Sequence, residues 1–234
     1  MKKIFIPLIC YNHTCYSEYM VSMIKLVSFA KDCNLDLSFY PIFSDPSVGR
    51  ARNSAVSFFM QDPNNTHLLF LDADLSFEPH DILKLIESEK EVISGAYPKK
   101  YICWDRIKQD PTQEYVNFTS GGSIKITEDK YLDAEYVPPG FLLIKREVIQ
   151  KIIDNHPELK YKNYVDGYGD GDFYDLFRVG INNDGFYESG SWQFCLLWKK
   201  LGGQLLVHPE VNANHLGWHE YSGNFMKHLI NIKK

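Results

Sequence analysis

Along the first hundred positions, short continuous apolar runs alternate with longer stretches whose apolar residues recur at helical spacing. The segments KIFIPLI, LDLSFYPIF, HLLFLDAD and EVISGAY read as strands, and the unbroken LLFL is typical of a strand buried on both faces. Between them SEYMVSMIKLVSFAKDC, VGRARNSAVSFFMQ and EPHDILKLIESE read as helices. In the first of these Met20, Met23, Ile24 and Val27 follow the helical period, and Ser17 is placed to cap it. Such a β/α succession predicts an α/β fold with a mostly parallel, helix-covered sheet.

The second half is more irregular. Gly, Pro, Asn and Asp cluster in DPTQEYVNFTSGGS and in YVDGYGDGDFYDLF, and between them YVPPGFLLIKREVIQKIID reads as a turn, a strand and a helix. A last helix, SWQFCLLWKKLGG, is expected to start at a cap on Ser191 and end at Gly202, followed by QLLVHPEV as the final strand. No repeat or flexible linker divides the chain, so one domain over 1–234 is expected. Its first hundred residues or so form one half, and about 101–234 the other.

Composition narrows the function classes. With 234 residues, 44% of them hydrophobic, the chain can bury one large core. A net charge of -5 and scattered Lys and Arg, apart from short pairs such as PKK, argue against nucleic acid as a partner. Five cysteines without metal-ligand spacing read as reduced thiols, which predicts a cytoplasmic location, the host cytoplasm if the source is viral. The opening MKKIFIPLIC has a basic start and an apolar run, but Pro7 interrupts it, and a first strand is the better reading than a signal peptide. No stretch reaches the length of a membrane span.

The candidate chemistry lies at Asp72 and Asp74, directly after the apolar run HLLFL. Carboxylates beside a core need compensation by a partner, hydrogen bonds or a metal. In an open α/β sheet ligands sit outside the carboxyl ends of the strands, which is where this pair falls. If the chain is still extended there, a spacing of two puts both side chains on one side, able to share a divalent cation such as Mg2+ or Mn2+ with substrate phosphates. The alternative is a pair that caps the next helix or is simply solvated. Two enzyme classes place such a pair after such a strand. One is the haloacid dehalogenase-like phosphatases, for which GDGDFYD supplies a second spacing, Gly169, Asp170 to Asp175; there, however, the first aspartate follows the opening strand, and here two β/α units come first.

The other class fits the order of segments. GRARNSAV, LLFLDADLSFEPHDILKLI, VISGAYPKK, PPGFLLIKREVI and WQFCLLWKKLGGQLLVHPEVNANHLG together resemble a small nucleotide-sugar glycosyltransferase of the GT-A fold, of the kind found in bacteria and large DNA viruses. The resemblance spans roughly residues 4 to 218. It implies a Rossmann-like nucleotide-binding half fused to a smaller acceptor-binding half. It also implies a Mn2+ or Mg2+ ion and a nucleoside diphosphate sugar, most often a UDP-sugar, as donor. Within Asp72, Ala73 and Asp74, Asp74 would hold the metal, Asp72 would meet the ribose or the metal through water, and His215 would complete the coordination. Arg50 and Arg52, near a helix start, suit a diphosphate; the first strand's end from Pro7 to Tyr11 and the loop with Asp45 would face the base and ribose.

Relatives of this kind with inverting chemistry carry Glu-Asp just before the last helix, the aspartate acting as base. Here YESGSWQF puts Gly190 and Ser191 in those places. Glu188, Asp184 or a carboxylate from DGYGDGDFYD could stand in; otherwise the chain is slow, retaining, or a binding module derived from the enzyme. For the acceptor, a saccharide or glycoconjugate, Pro138, Pro139 and Gly140 form a turn that backbone or ligand can approach closely, and Tyr97, Trp104, Tyr164 and Tyr168 could stack on a sugar. Trp192 and Trp198 read as packing residues.

Overall fold

The structure, a computed structural model, describes residues 2–112, 114–165, 167–169, 171–182 and 184–232. Its central sheet has eight strands: β1 (Lys3–Cys10), β2 (Asp36–Phe43), β3 (His67–Leu71), β4 (Val92–Ala96), β5 (Lys125–Ile126), β6 (Leu132–Asp133), β7 (Phe141–Lys145) and β8 (Leu206–Asn212). Their spatial order is β2-β1-β3-β7-β4-β8-β6-β5. β1 runs parallel to β2 and β3, and β4 parallel to β8. β7 lies antiparallel between β3 and β4, and β6 and β5 add an antiparallel edge beyond β8. Six of the eight strands therefore point one way, the mostly parallel sheet expected, and it takes strands from both halves of the chain.

The helices are α1 (Ser17–Asp32), α2 (Val48–Gln61), α3 (Pro79–Glu87), α4 (Trp104–Gln109), α5 (Arg146–Asn155), α6 (Gly190–Lys200) and α7 (Phe225–Ile232). Strand residues alternate between two cores because successive side chains leave opposite faces. Leu68 and Phe70 of β3 and Leu142 and Ile144 of β7 join the core under α2, α5, α6 and α7. Leu69, Leu71, Phe141 and Leu143 join the other, under α1 and α3. This double coverage explains why LLFL carries no polar residue.

Several local expectations are corrected. Ser17 does not cap α1: its hydroxyl turns to Glu18, and the residue at the cap, Tyr16, makes no side-chain cap. The periodic Met20, Ile24 and Val27 face outward, while Tyr19, Ser22, Leu26 and Ala30 are buried. α6 starts two residues early: it is capped by Ser189, which accepts from the Trp192 N–H, rather than by Ser191. QLLVHPEV supplies β8 up to Val211, but it is not the final strand: Asn214–Leu216, Glu220–Tyr221 and α7 follow it. No helix among the described residues is long and apolar enough to cross a membrane.

The carboxyl ends of β1, β2 and β3 lie side by side, so Tyr11, Asp45 and Asp72 emerge along one edge of the sheet.

Candidate active site

The chain does not stay extended past β3. It turns at once, closed by the Leu75 N–H donating to the Asp72 carbonyl at 3.1 Å. Three further backbone bonds fix the turn: Asp72 N–H to the Gly140 carbonyl (2.8 Å), Tyr16 N–H to Ala73 (3.1 Å) and Leu216 N–H to Asp74 (2.7 Å). The turn corrects the idea that both aspartates face one cation. Asp72 points to α2, where the Arg52 guanidinium Nη2 donates to both of its oxygens at 3.0 and 3.2 Å. Asp74 points the other way, to Lys100 Nζ at 2.6 Å and His215 Nε2 at 3.4 Å.

His215 arrives there by sheet register. The short strand Leu75–Ser76 pairs antiparallel with Asn214–Leu216, opposing Leu75 and His215. The ring Nδ1 lies 2.7 Å from the Pro98 carbonyl, which can only accept, so Nδ1 carries a proton and Nε2 faces Asp74. Tyr97 meets the same ring edge-on at 5.2 Å. Burial pushes the Asp74 carboxyl upward, yet His215 and Lys100 together outweigh it and hold it below its ordinary value.

Two clefts meet at this turn. The larger, about 710 Å³, is lined by Tyr11, Asp45, Arg52, Asp72, Ala73 and Asp74, with Thr14, Cys15 and Tyr16 beside them. The other, about 490 Å³, is lined by Tyr97, Pro138, Pro139, Ser191, Trp192 and His215, with Lys99, Thr119 and Tyr136. Arg52 and Asp72 line both, so this ion pair is the wall between them. The Arg52 side chain is only 9% exposed, and its Nε has no partner among the described residues.

Other expected site residues fall elsewhere. Pro7 is buried in the middle of β1 opposite Tyr40 and does not line the larger cleft. Arg50 is turned back onto Asp45, with Nε–Oδ2 and Nη2–Oδ1 at 3.0 Å, and this bond raises its pKa. Asp45 itself, 2% exposed, also accepts from the Ser47 N–H, tying the loop to the start of α2. Gly140 is crowded by its own chain rather than by open space: a Cβ there would lie 2.3 Å from Tyr97 Oη and 2.8 Å from Asp72 Oδ2. Trp104 stands exposed on α4, outside both clefts, Tyr164 lines a recess with Lys160 and Asp172, and Tyr168 packs edge-on against Phe58.

The candidate bases separate likewise. Gly190 is buried, and a Cβ on it would come within 2.2 Å of the Phe177 carbonyl oxygen, so no side chain fits there as the backbone stands. Ser191 lines the smaller cleft. Glu188 lines an adjoining recess that shares Tyr136 and Trp192 with it, but both carboxylate oxygens accept amides, from Asn182 at 2.8 Å and from Gln193. Asp184 accepts nothing in its loop that aims it at either cleft; its backbone N–H donates to Asn182. Asp175 bonds Asn53 on α2, while Asp166 and Asp170 lie outside the described residues.

No family model matches the sequence, and comparison with curated proteins finds no match. Solved structures do match. A197 from STIV aligns at 13% identity over 93% of this chain and 86% of that one, with a TM-score of 0.50. S. aureus TarS 1-349 aligns at 11% identity over 91% of this chain and 59% of that one, TM-score 0.43. A glycosyltransferase involved in glycosylation of the major capsid of PBCV-1 aligns at 11% over 68% of each, TM-score 0.31. With A197 what is shared is the fold. The large, mostly parallel sheet covered on both faces is a Rossmann-like arrangement of the GT-A kind, and the site must be argued from its own residues.

Residues that sequence reading passed over complete both clefts. Lys100 was one of a scattered basic pair, and Trp192 a packing residue, yet Trp192 stacks on Tyr136 at 5.5 Å in the smaller cleft. Tyr136 opens YVPPGF and Thr119 lies in a loop-rich stretch, but neither of them, nor Tyr16 or Cys15, carried an expected role in the site.

The Mn2+ or Mg2+ site implied by the resemblance finds only part of its ligand set. Among the described residues no three His, Cys, Asp or Glu side chains converge as metal ligands. Asp74 and His215 are together, but Asp72 is held by Arg52 and Lys100 already contacts Asp74. The donor groups therefore do not fit a divalent ion as they stand.

Proposed function

We propose that the protein is a glycosyltransferase that moves a sugar from a nucleoside diphosphate sugar, a UDP-sugar by resemblance, to a hydroxyl of a saccharide or glycoconjugate. The observation that carries this reading is the pair of clefts joined at Arg52 and Asp72. The larger lies beyond the carboxyl ends of β1, β2 and β3, where such sheets take nucleotides. The smaller, with Tyr97, Tyr136 and Trp192 beside Pro139, has the aromatic lining that suits a sugar face.

In this reading the anomeric carbon sits at the junction. The bond to the diphosphate breaks as the acceptor oxygen bonds to that carbon, and cationic side chains at the junction offset charge developing on the leaving group. The acceptor proton needs a base. Gly190 and Ser191 offer none, Glu188 is engaged by two amides, and Asp72 is the carboxylate that lines both clefts. Arg52 already donates to both Asp72 oxygens, so the carboxylate receives the acceptor proton only by giving up one of those bonds.

The test is release of the nucleoside diphosphate from UDP-glucose and related UDP-, GDP- and dTDP-sugars, with and without saccharide acceptors. Turnover that is lost in Asp72→Asn and stimulated by an acceptor supports the reading. Donor binding without transfer or hydrolysis across a broad acceptor panel would assign the chain to nucleotide-sugar binding instead.

A further inference from the structure

Each aspartate of the Asp72-Ala73-Asp74 turn already has a cation supplied by the chain itself. Asp72 takes both bonds from Arg52, and Asp74 takes the ammonium of Lys100 at 2.6 Å. We propose that Lys100 is the cation that meets the donor's diphosphate, in the place where the resemblance puts a divalent metal ion. This rests on the nucleotide-sugar reading of the larger cleft.

Four observations converge. Lys100 is held in place: its side chain is 35% exposed, its Cδ is within 3.3 Å of where a Cβ on Gly217 would stand, and its ammonium lies 5.9 Å over the Tyr16 ring. Tyr16 and Asp74 both line the larger cleft, so Lys100 stands at the cleft's border. His215 contacts the same oxygen of Asp74, Oδ2, as Lys100 does, so the ammonium already engages the oxygen that a metal shared by Asp74 and His215 would take. Finally, the local charge closes without a dissociable ion. Two carboxylates, Asp72 and Asp74, plus Arg52 and Lys100 sum to zero, and a divalent ion added to them would leave an excess of two positive charges. A divalent ion added to the present arrangement would face two fixed positive groups, an unfavourable approach at short range.

An ammonium can discharge the duty that the reaction sets here. It is a strongly hydrated point charge with three rotatable donors, suited to non-bridging phosphate oxygens. Gly217, directly after His215 and Leu216, keeps room for its stem.

The test compares wild type with Lys100→Met, which keeps most of the stem, and with Lys100→Arg, which keeps the charge. Manganese binding to the free protein is read from loss of the free-ion electron paramagnetic resonance signal. UDP binding is read by calorimetry in EDTA and in Mn2+. The expected result is that Lys100→Met binds Mn2+ about tenfold more tightly than wild type, since the ion no longer displaces a charge-assisted bond. Wild type and Lys100→Arg should bind UDP in EDTA within about twofold of their affinity in Mn2+, and Lys100→Met should lose about tenfold in EDTA. UDP binding by wild type that requires Mn2+, or equal Mn2+ affinity in wild type and Lys100→Met, overturns the proposal while leaving the donor reading intact. Absence of binding of UDP, GDP and dTDP in both conditions overturns the donor reading, and the proposal with it.

Discussion

Gly190 and Ser191 are neighbours at the start of α6, and substitutions there should act with opposite sign. For Gly190→Ala, the new Cβ would stand 2.2 Å from the Phe177 carbonyl oxygen, where real Cβ contacts stay beyond 3.0 Å. The backbone of one segment must therefore retreat by about 0.8 Å, the difference of those distances. Both segments are packed: Phe177 is buried against Phe194 of α6 and Phe70 of β3. Overpacking of this kind costs about 1–3 kcal/mol. Gly190 is the first residue of α6, outside the helix interior where replacing glycine brings a gain, so the net loss stays at about 1–3 kcal/mol. For a chain of this size that is a fall in Tm of roughly 2–12 °C at about 2–4 °C per kcal/mol. Ser191→Asp meets no such obstacle. α6 has no acidic residue in its first turn, so a carboxylate there gains about 0.3–1 kcal/mol from the helix dipole and enters the smaller cleft. If a weak base limits transfer, it should also raise kcat by roughly 10²-fold, the low end of general-base catalysis. Thermal unfolding and acceptor-dependent UDP release measure the two effects. A Gly190→Ala protein as stable as wild type would refute the packing argument, and a Ser191→Asp protein that folds normally but turns over no faster would refute the argument about the base.

Three other outcomes are expected. Asn53 bridges α2 to the segment before α6, donating to Asp175 at 2.7 Å and accepting from the Phe177 N–H at 2.8 Å, so Asn53→Ala should cost about 2–3 kcal/mol in urea unfolding; a loss under about 0.5 kcal/mol would show that water replaces both bonds. Burial, with Lys2 and Lys145, holds His67 down to about 4, and burial with Arg106 does the same at His228. Both rings stay neutral in the native chain while the unfolded chain takes up protons below about 6.5, so stability should fall as pH drops through that interval towards about 4, and His67→Gln should remove about one proton from the slope. Burial pushes the Cys195 thiol up to about 12, whereas Cys15 is exposed and lines the larger cleft. An aromatic disulfide reagent should label Cys15 and leave Cys195 unreacted in the native protein, and the adduct should block UDP binding that Cys15→Ser retains; unimpeded binding by the adduct would move the donor away from Cys15.

The sheet was legible because burial on both faces leaves a simple trace. LLFL and FLLI carry no polar residue and the run VISGA only the buried Ser94, and all became central strands. α1 misled because its most periodic apolar residues are not its core face. Met20, Met23, Ile24 and Val27 line an apolar surface groove with Leu8 and Phe39, while the buried side is built from Tyr19, Ser22, Leu26 and Ala30. Two small residues there let the helix lie close to the sheet, and small residues contribute little to an apolar pattern. The donor side of the site was legible for a different reason: Tyr11, Asp45 and Asp72 need only the strand ends that precede them. The acceptor side was not, since Tyr136, Thr119 and Trp192 come from three irregularly connected segments, and only the tertiary fold brings them together.

The turn at Asp72 shows how one local bond redirects a chemical inference. Had the strand continued, a spacing of two would have aimed both carboxylates at one point. The Leu75 N–H to Asp72 carbonyl bond ends the extension, sending Asp72 to Arg52 and Asp74 to Lys100 and His215. The same bond starts Leu75–Ser76, whose pairing with Asn214–Leu216 is what delivers His215 from the far end of the chain. Separation of the carboxylates and arrival of the histidine are thus one structural event. A change that lengthened β3 by a residue would undo both, leaving Asp72 and Asp74 without their partners at the edge of the core.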